Sequence, residues 1–209
     1  RRALDARPVP PRLTVPAGAA TVRVPEPEPS RPKLTYDNGI GGFGADGRDY
    51  IMLLEPGVRT PSPWCNVISN PDFGTLVSEV GPSFTWSKNS QRYRLTPWNN
   101  DAVCDPSGEL LYVRDDDDGS FWSATPEPLG LGARFLVRHG QGYSQFEHER
   151  DGLRQELTLF VSPDEPLKFS RARFDNRSSR DRRLSVFASV DWVLGGSRES
   201  GRVAIATSY

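Results

Sequence analysis

Two cysteines, two histidines and one methionine in 209 residues leave little material for several kinds of chemistry. Cys65 and Cys104 form no Cys-x-x-Cys pair, so neither a disulfide framework nor a thiol redox motif is implied. A reducing compartment is the expected setting, and one bridge between the two cysteines stays open. His139 and His148 lie nine positions apart with no third cluster of ligands, which falls short of a zinc site. A net charge of −1 removes the electrostatic reason to expect nucleic acid or a membrane surface as partner. No apolar run approaches the ~20 residues that a spanning helix needs, and no charged-then-apolar signal segment opens the chain. There is no Gly-x-Ser-x-Gly elbow, no phosphate loop and no cysteine with a nearby histidine. Gly39-Ile-Gly-Gly-Phe-Gly44 lacks the preceding strand and following helix of a dinucleotide fingerprint, and Asp46-Gly47 directly after it reads as a hairpin.

Glycine and proline, by contrast, are abundant at 19 residues each, which argues against a helical bundle and for many turns. Eight of the prolines fall before residue 35. Pro25-Glu-Pro-Glu-Pro29 is therefore expected as extended polyproline-like chain, residues 1–33 as a linker or strap, and residues 1–30 with little regular structure, short strands at Leu13-Thr-Val15 and Thr21-Val-Arg-Val24 being the open alternative. The absence of an initiator Met agrees with a piece cut from a longer protein. From about residue 34 the chain alternates with period two between Gly, Asp and Asn turns. Phe135 and Val137 oppose Leu136 and Arg138. Leu153, Gln155, Leu157, Leu159 and Val161 share a face, as do Leu184, Val186, Ala188, Val190 and Trp192. Asn176-Arg-Ser-Ser reads as a hairpin turn. The pattern predicts an all-β fold, an antiparallel sandwich with no helix longer than two turns. Val203–Tyr209 reads as a strand that stops in progress, so the sandwich of residues 34–209 is expected to be incomplete at its C-terminal end.

Ser87–Asp118 carries the most chemistry. It gathers amides, guanidiniums, hydroxyls and aromatics with no helix or strand period before Leu110. Loops that must order many polar side chains are usually functional. Flat aromatic rings beside amides and carboxylates suit a sugar, whose apolar face stacks on the ring while its hydroxyls pair with the polar groups. Among the five tryptophans, Trp98, between Pro97 and Asn99-Asn100, is the one least expected in a core. Asp115–Asp118 with Gly119 lacks the alternate acidic positions and closing Glu of a calcium loop, and reads as a solvated hairpin turn. Glu147, His148 and Glu149 read as a strand with a hydrogen-bonded histidine.

Four blocks of sequence resemble a known family. They are Asn38-Gly-Ile-Gly-Gly-Phe-Gly-Ala-Asp-Gly-Arg-Asp-Tyr-Ile51, Pro63–Glu79, the block Phe84-Thr-Trp-Ser-Lys-Asn-Ser-Gln-Arg-Tyr-Arg-Leu-Thr-Pro-Trp-Asn-Asn-Asp101, and Gly140-Gln-Gly-Tyr143. Together, over about Thr35 to Leu194, they resemble the N-terminal part of glycoside hydrolase family ninety-four, the cellobiose and chitobiose phosphorylase type. They look closest to that domain in cyclic β-1,2-glucan synthases and β-1,2-oligoglucan phosphorylases. The resemblance implies a large sandwich of the galactose-mutarotase-like, super-sandwich type, followed by an (α/α) barrel that holds the catalytic acid beyond residue 209. It implies no catalytic residue and no metal in this segment, no cofactor, and inorganic phosphate as co-substrate of the complete enzyme. Phosphate is already anionic, so one protonated carboxyl assisting the leaving sugar suffices. A β-glucan, the enzyme's own barrel and a homodimer partner are the implied partners. The cytoplasm is the implied location, on an inner-membrane protein in the case of a glucan synthase. Carried onto this chain, the substrate-binding loop is Ser87–Asp101, with Asn89, Gln91, Arg92 and Trp98 as candidates. A stand-alone carbohydrate-binding module and a purely structural interface domain are the alternative readings.

Overall fold

A computed structural model describes residues 29–197, apart from 102, 130 and 131, together with residue 199. The expectation of an irregular strap falls mostly on residues outside this range, as does the strand reading of Val203–Tyr209. The described residues form strands β1 (Gly41–Phe43), β2 (Asp49–Leu54), β3 (Cys65–Ser69), β4 (Phe73–Ser78), β5 (Ser83–Ser87) and β6 (Glu109–Asp115). They continue as β7 (Phe121–Ser123), β8 (Phe135–Gly140), β9 (Tyr143–Arg150), β10 (Leu153–Val161), β11 (Lys168–Asn176) and β12 (Leu184–Val190). Every pairing is antiparallel, as the alternation predicts.

One sheet has six strands in the order β1-β2-β8-β9-β10-β11. Two smaller sheets, β3-β4-β5 and β12-β6-β7, form the rest. The two small sheets are stitched together. Arg94 bridges Trp86 on one side and Gly195 on the other, so the chain after β12 reaches β5 through Arg94 and Leu95. Because side chains alternate between faces, Leu153, Gln155, Leu157, Leu159 and Val161 all point inward from β10, and all are buried. Phe146, Val137 and Met52 sit beside Leu157 in register and are fully buried with it. They pack against Ile68, Phe73 and Val77 of the β3-β4-β5 sheet, and this contact is the main core. A second contact joins Leu153 and Phe174 to Val113, Trp122 and Leu184 of the other small sheet. Leu136 points outward with Ile51 and Leu53, where Leu34 packs against them.

The structure corrects four local readings. Asn176-Arg-Ser-Ser is not a hairpin: β11 and β12 lie in different sheets, and residues 177–183 cross between them. The crossing is set by charge. Asp115, buried at the end of β6, accepts from Arg180 at 2.7 Å and Arg182 at 3.2 Å. The acidic turn is therefore partly a buried anchor and not simply a solvated hairpin. The apolar face of β12 is not covered by the described residues: Val186, Val190 and, just past the strand, Trp192 are 41 to 51% exposed and belong to none of the core clusters. Finally, His139 bonds through both ring nitrogens, to Ser144 and to the Trp64 carbonyl. His148 does not match that description. Its Nδ1 is buried without a hydrogen-bond partner, and the ring is held by stacking on Phe135 at 4.5 Å.

Burial pushes His148 down to about 4, with the nearby Arg150 charge adding to the effect. An unfolded histidine titrates near ~6.5, so between these values the unfolded chain binds the extra proton. The stability contributed by neutral His148 is therefore full above ~6.5 and is lost as pH falls toward 4, by on the order of 3 kcal/mol. His139, also lowered by burial, acts in the same direction. Urea denaturation across pH 4 to 7 should show a shallower loss of stability in His148→Gln than in the wild type. Parallel pH profiles for the two proteins would rule this contribution out.

Candidate functional site

The Ser87–Asp101 loop begins where β5 ends. Lys88 takes a left-handed φ of 56°, which turns the chain, and its N–H bonds back to the Asp72 carbonyl at 2.7 Å. Asn89 then organises the tip. Its Oδ1 accepts from the backbone N–H groups of Gln91 and Arg92 at 3.0 and 2.9 Å, a local turn that asparagine side chains favour. Tyr93 closes the turn, with its N–H on the Asn89 carbonyl and its own carbonyl accepting from Ser87 N–H. The return leg is held on both sides: Leu95 N–H bonds to Thr85 O, and Val193 N–H bonds to Leu95 O, each at 2.9 Å.

The four sequence candidates therefore divide. Asn89 spends its side-chain oxygen on the backbone and is a scaffold residue. Gln91 and Arg92 share its turn and leave their side chains exposed. Trp98 is placed by a different set of contacts. It is 37% exposed and rests on Phe84, with ring centroids 5.2 Å apart, and Phe84 packs in turn on Trp86 at 5.0 Å. That stack needs glycine opposite it: a Cβ on Gly74 would stand 2.3 Å from the Trp86 ring. The loop ends at Asp101, whose carboxylate caps Val103 and Cys104; those backbone bonds hold its pKa below the usual carboxylate range.

Sequence reasoning missed a groove on the flank of this loop. Lys88, Tyr93, Arg94, Leu95, Leu194 and Gly195 line a cavity of about 440 Å³. Phe84 and Trp86 alternate with Thr85 and Ser87 along β5, so Trp98 and the Ser87 wall of the groove belong to opposite faces of that strand. Leu194, like Lys88, is a non-glycine residue at positive φ, 51°. No sequence signal brings Leu194 to this loop, because the pairing of Arg94 with Gly195 is long-range.

A second polar region lies at the far end of β4, beyond Ser78. Glu79 is buried and accepts from the Thr60 hydroxyl and from Trp64 N–H at 2.8 Å. Burial raises its pKa, and burial likewise raises that of Asp105, which accepts from Ser78 Oγ at 2.7 Å. The Cys65 thiol nearby is pushed up to about 11 by burial and by these carboxylates, so it is not a poised nucleophile. Both cysteines are free. Among the described residues no group of three or more His, Cys, Asp or Glu side chains could hold a metal ion. No helix among them is long and apolar enough to cross a membrane.

With this geometry in view, comparison with known proteins is decisive at the level of family. Residues 48–209 match the family described as glycosyl hydrolase 94, supersandwich domain. The chain belongs to this family. It is 45% identical, over 168 residues, to the cyclic beta-(1,2)-glucan synthase NdvB of Rhizobium meliloti (strain 1021), a match covering 79% of this chain and 6% of that protein. It is 30% identical over 155 residues to the N,N'-diacetylchitobiose phosphorylase of Vibrio proteolyticus, covering 73% of this chain and 19% of the relative. A solabiose phosphorylase from Paenibacillus borealis is 26% identical over 162 residues, covering 76% and 21%. The chain thus spans about a fifth or less of the length of these relatives. The resemblance of the four sequence blocks and the all-β super-sandwich fold are both borne out.

The scaffold role of Asn89 has a direct test. Asn89→Ala should remove two bonds to backbone N–H groups and destabilise the protein by about 1 kcal/mol, as loss of a side-chain cap does. Asn89→Asp, which offers the same acceptor, should restore the wild-type urea midpoint. Equal midpoints for the alanine variant and the wild type would return Asn89 to the pool of free polar groups.

Proposed function

We propose that this chain is the sandwich portion of a carbohydrate-active enzyme, a glycoside phosphorylase or glycan synthase acting on β-linked glucans, with β-1,2-glucan favoured. The observation that carries this reading is the Ser87–Asp101 loop. Its backbone is fixed by Asn89 and by pairing on both sides of Leu95, while Gln91, Arg92 and Trp98 remain exposed. An ordered backbone that presents a guanidinium, an amide and an indole to solvent suits a sugar bound against a second surface. The 45% identity to a named β-1,2-glucan synthase supports the choice of glucan. In this reading the catalytic acid lies in a barrel outside this chain, inorganic phosphate is the co-substrate, and no cofactor takes part. The loop completes the pocket of that barrel or of a homodimer partner. The protein works in the cytoplasm, on the cytoplasmic side of the inner membrane if it is a synthase.

The interface alternative has an observation of its own. Val186 and Val190 on one face of β12, with Trp192 beyond them in the same alternation, are 41 to 51% exposed, and Phe187 is 49% exposed on the other face. We infer that this surface is covered in the complete protein. That supports a packing role for β12 and does not compete with a substrate role for the loop.

In the complete enzyme, Arg92→Ala should reduce turnover of glucan roughly 10- to 100-fold, the loss of one charged hydrogen bond of about 1.5–3 kcal/mol. Gln91→Ala should cost less. Both should melt with the wild type, because neither side chain supports the fold. Wild-type turnover in both variants would leave the loop a structural element. The 209-residue chain alone should release no glucose 1-phosphate and bind glucan weakly. Activity in the isolated chain would place the acid inside it and overturn the assignment.

A further inference from the structure

The return leg of the Ser87–Asp101 loop is held by more than backbone pairing. Beside Leu95, the regular ladder fails. Thr96 N–H reaches the same Thr85 carbonyl that Leu95 uses, at a long 3.3 Å. The Thr85 N–H bonds instead to the Thr96 hydroxyl at 2.8 Å. A side chain thus replaces a ladder bond, and the position of the leg depends on how that hydroxyl is oriented. Thr96, which is 1% exposed, donates its own proton to Glu109 Oε1 at 2.8 Å. Glu109 Oε1 also accepts from Thr85 Oγ1 at 2.5 Å. Its other oxygen receives the Lys168 ammonium at 2.5 Å, and the same ammonium donates to Thr75 and Ser83. Burial opposes the charge on Glu109, but Lys168 and the two threonine hydroxyls outweigh it, and its pKa lies below the usual carboxylate range.

We infer that Lys168 and Glu109 are positioning residues for the substrate loop. Glu109 fixes the Thr96 hydroxyl as an acceptor for Thr85, Lys168 fixes Glu109, and the chain on either side of Thr96 carries Tyr93, Arg94 and Trp98. Neither residue lies in the loop, and Lys168 stands 72 positions after Thr96 in sequence, on β11. The inference rests on the reading of Ser87–Asp101 as the substrate loop.

The test uses the full-length enzyme with three changes. Thr96→Val keeps the shape of the side chain and removes the hydroxyl. Thr96→Ser keeps the hydroxyl. The double variant K168M/E109M replaces the ion pair with apolar groups of similar length, a change that buried pairs often tolerate without loss of stability. Hydrogen exchange is followed separately in peptides covering residues 88–101 and in peptides from β9 and β10, and affinity is measured by titration with a β-1,2-linked gluco-oligosaccharide. Thr96→Val and the double variant should exchange at least ten-fold faster in the loop with β9 and β10 unchanged, and their affinity should fall several-fold. Thr96→Ser should behave as the wild type. Unchanged loop exchange in Thr96→Val and the double variant would overturn the inference. So would exchange that accelerates equally in the loop and in β9 and β10, since that is the mark of a general stabilising pair. Faster loop exchange with unchanged affinity would uphold the positioning and remove instead the substrate reading of the loop. Unchanged loop exchange beside reduced turnover in Arg92→Ala would do the reverse.

Discussion

Lys168 stands at the first position of β11, in the six-stranded sheet, yet its ammonium reaches hydroxyls on β4 and β5 and the carboxylate of Glu109 on β6. All three sheets therefore meet at one nitrogen. Removing a lysine and a glutamate from water costs several kcal/mol each, and their mutual attraction offsets this only when the remaining donors and acceptors are satisfied. Here they are. Three ammonium protons face a carboxylate oxygen and hydroxyls of Thr75, Ser83 and Thr85, while the second carboxylate oxygen takes Thr85 and Thr96. An apolar cluster in this place would fill space equally well but would not distinguish one register of β4, β5 and β6 from the next. The polar network does, because a slip by one residue turns every hydroxyl away from the charge.

The same principle governs the second place where sheets must be aligned. Between β11 and β12 the chain leaves one sheet for another, and nothing apolar guides residues 177–183. Asp115 does so by drawing Arg180 and Arg182 to the end of β6, while the Arg183 carbonyl accepts from Asp116 N–H. Breaking one partner of such a pair leaves an uncompensated buried charge, so the crossing tolerates little variation. Apolar packing holds the layers together, and charged groups determine which strand lies next to which.

This division explains what could be read from sequence. Period two placed Leu153, Gln155, Leu157, Leu159 and Val161 on one buried face, because burial follows alternation directly. Turn chemistry was equally legible: Asp151 and Gly152, both at positive φ, join β9 to β10. Sheet membership was not. Asn176-Arg-Ser-Ser has the composition of a hairpin, and only the long-range attraction of Asp115 makes it a crossing. The apolar alternation of β12 was read correctly as a strand, but alternation shows which face is apolar, not whether this chain covers it. At the candidate site, exposure of Gln91, Arg92 and Trp98 followed from their polar setting, whereas the capping role of Asn89 depends on where its side chain turns. Thr96, Glu109 and Lys168 gave no signal at all, since each is an ordinary strand or loop residue until the sheets assemble.

A loop that awaits ligand faces two opposing demands. Its side chains must stay solvated and unpaired, so that they are free to exchange water for sugar hydroxyls. Its backbone must already be fixed, since ordering it on binding would consume much of what each hydrogen bond returns. Backbone fixation by apolar packing would cover the very groups that must stay open. In this chain the two demands are separated by depth. Asn89 fixes the tip from within the turn, Leu95 is paired on both edges, and Thr96 is held from beneath by the half-buried Glu109 carboxylate. Between these points the side chains of Gln91 and Arg92 stay exposed, and Arg94 makes one long bond to the Ser90 carbonyl at 3.4 Å. Rigidity enters the loop from its own turn at Asn89 and from the layer beneath Thr96, and this leaves Gln91 and Arg92 available to whatever encloses them.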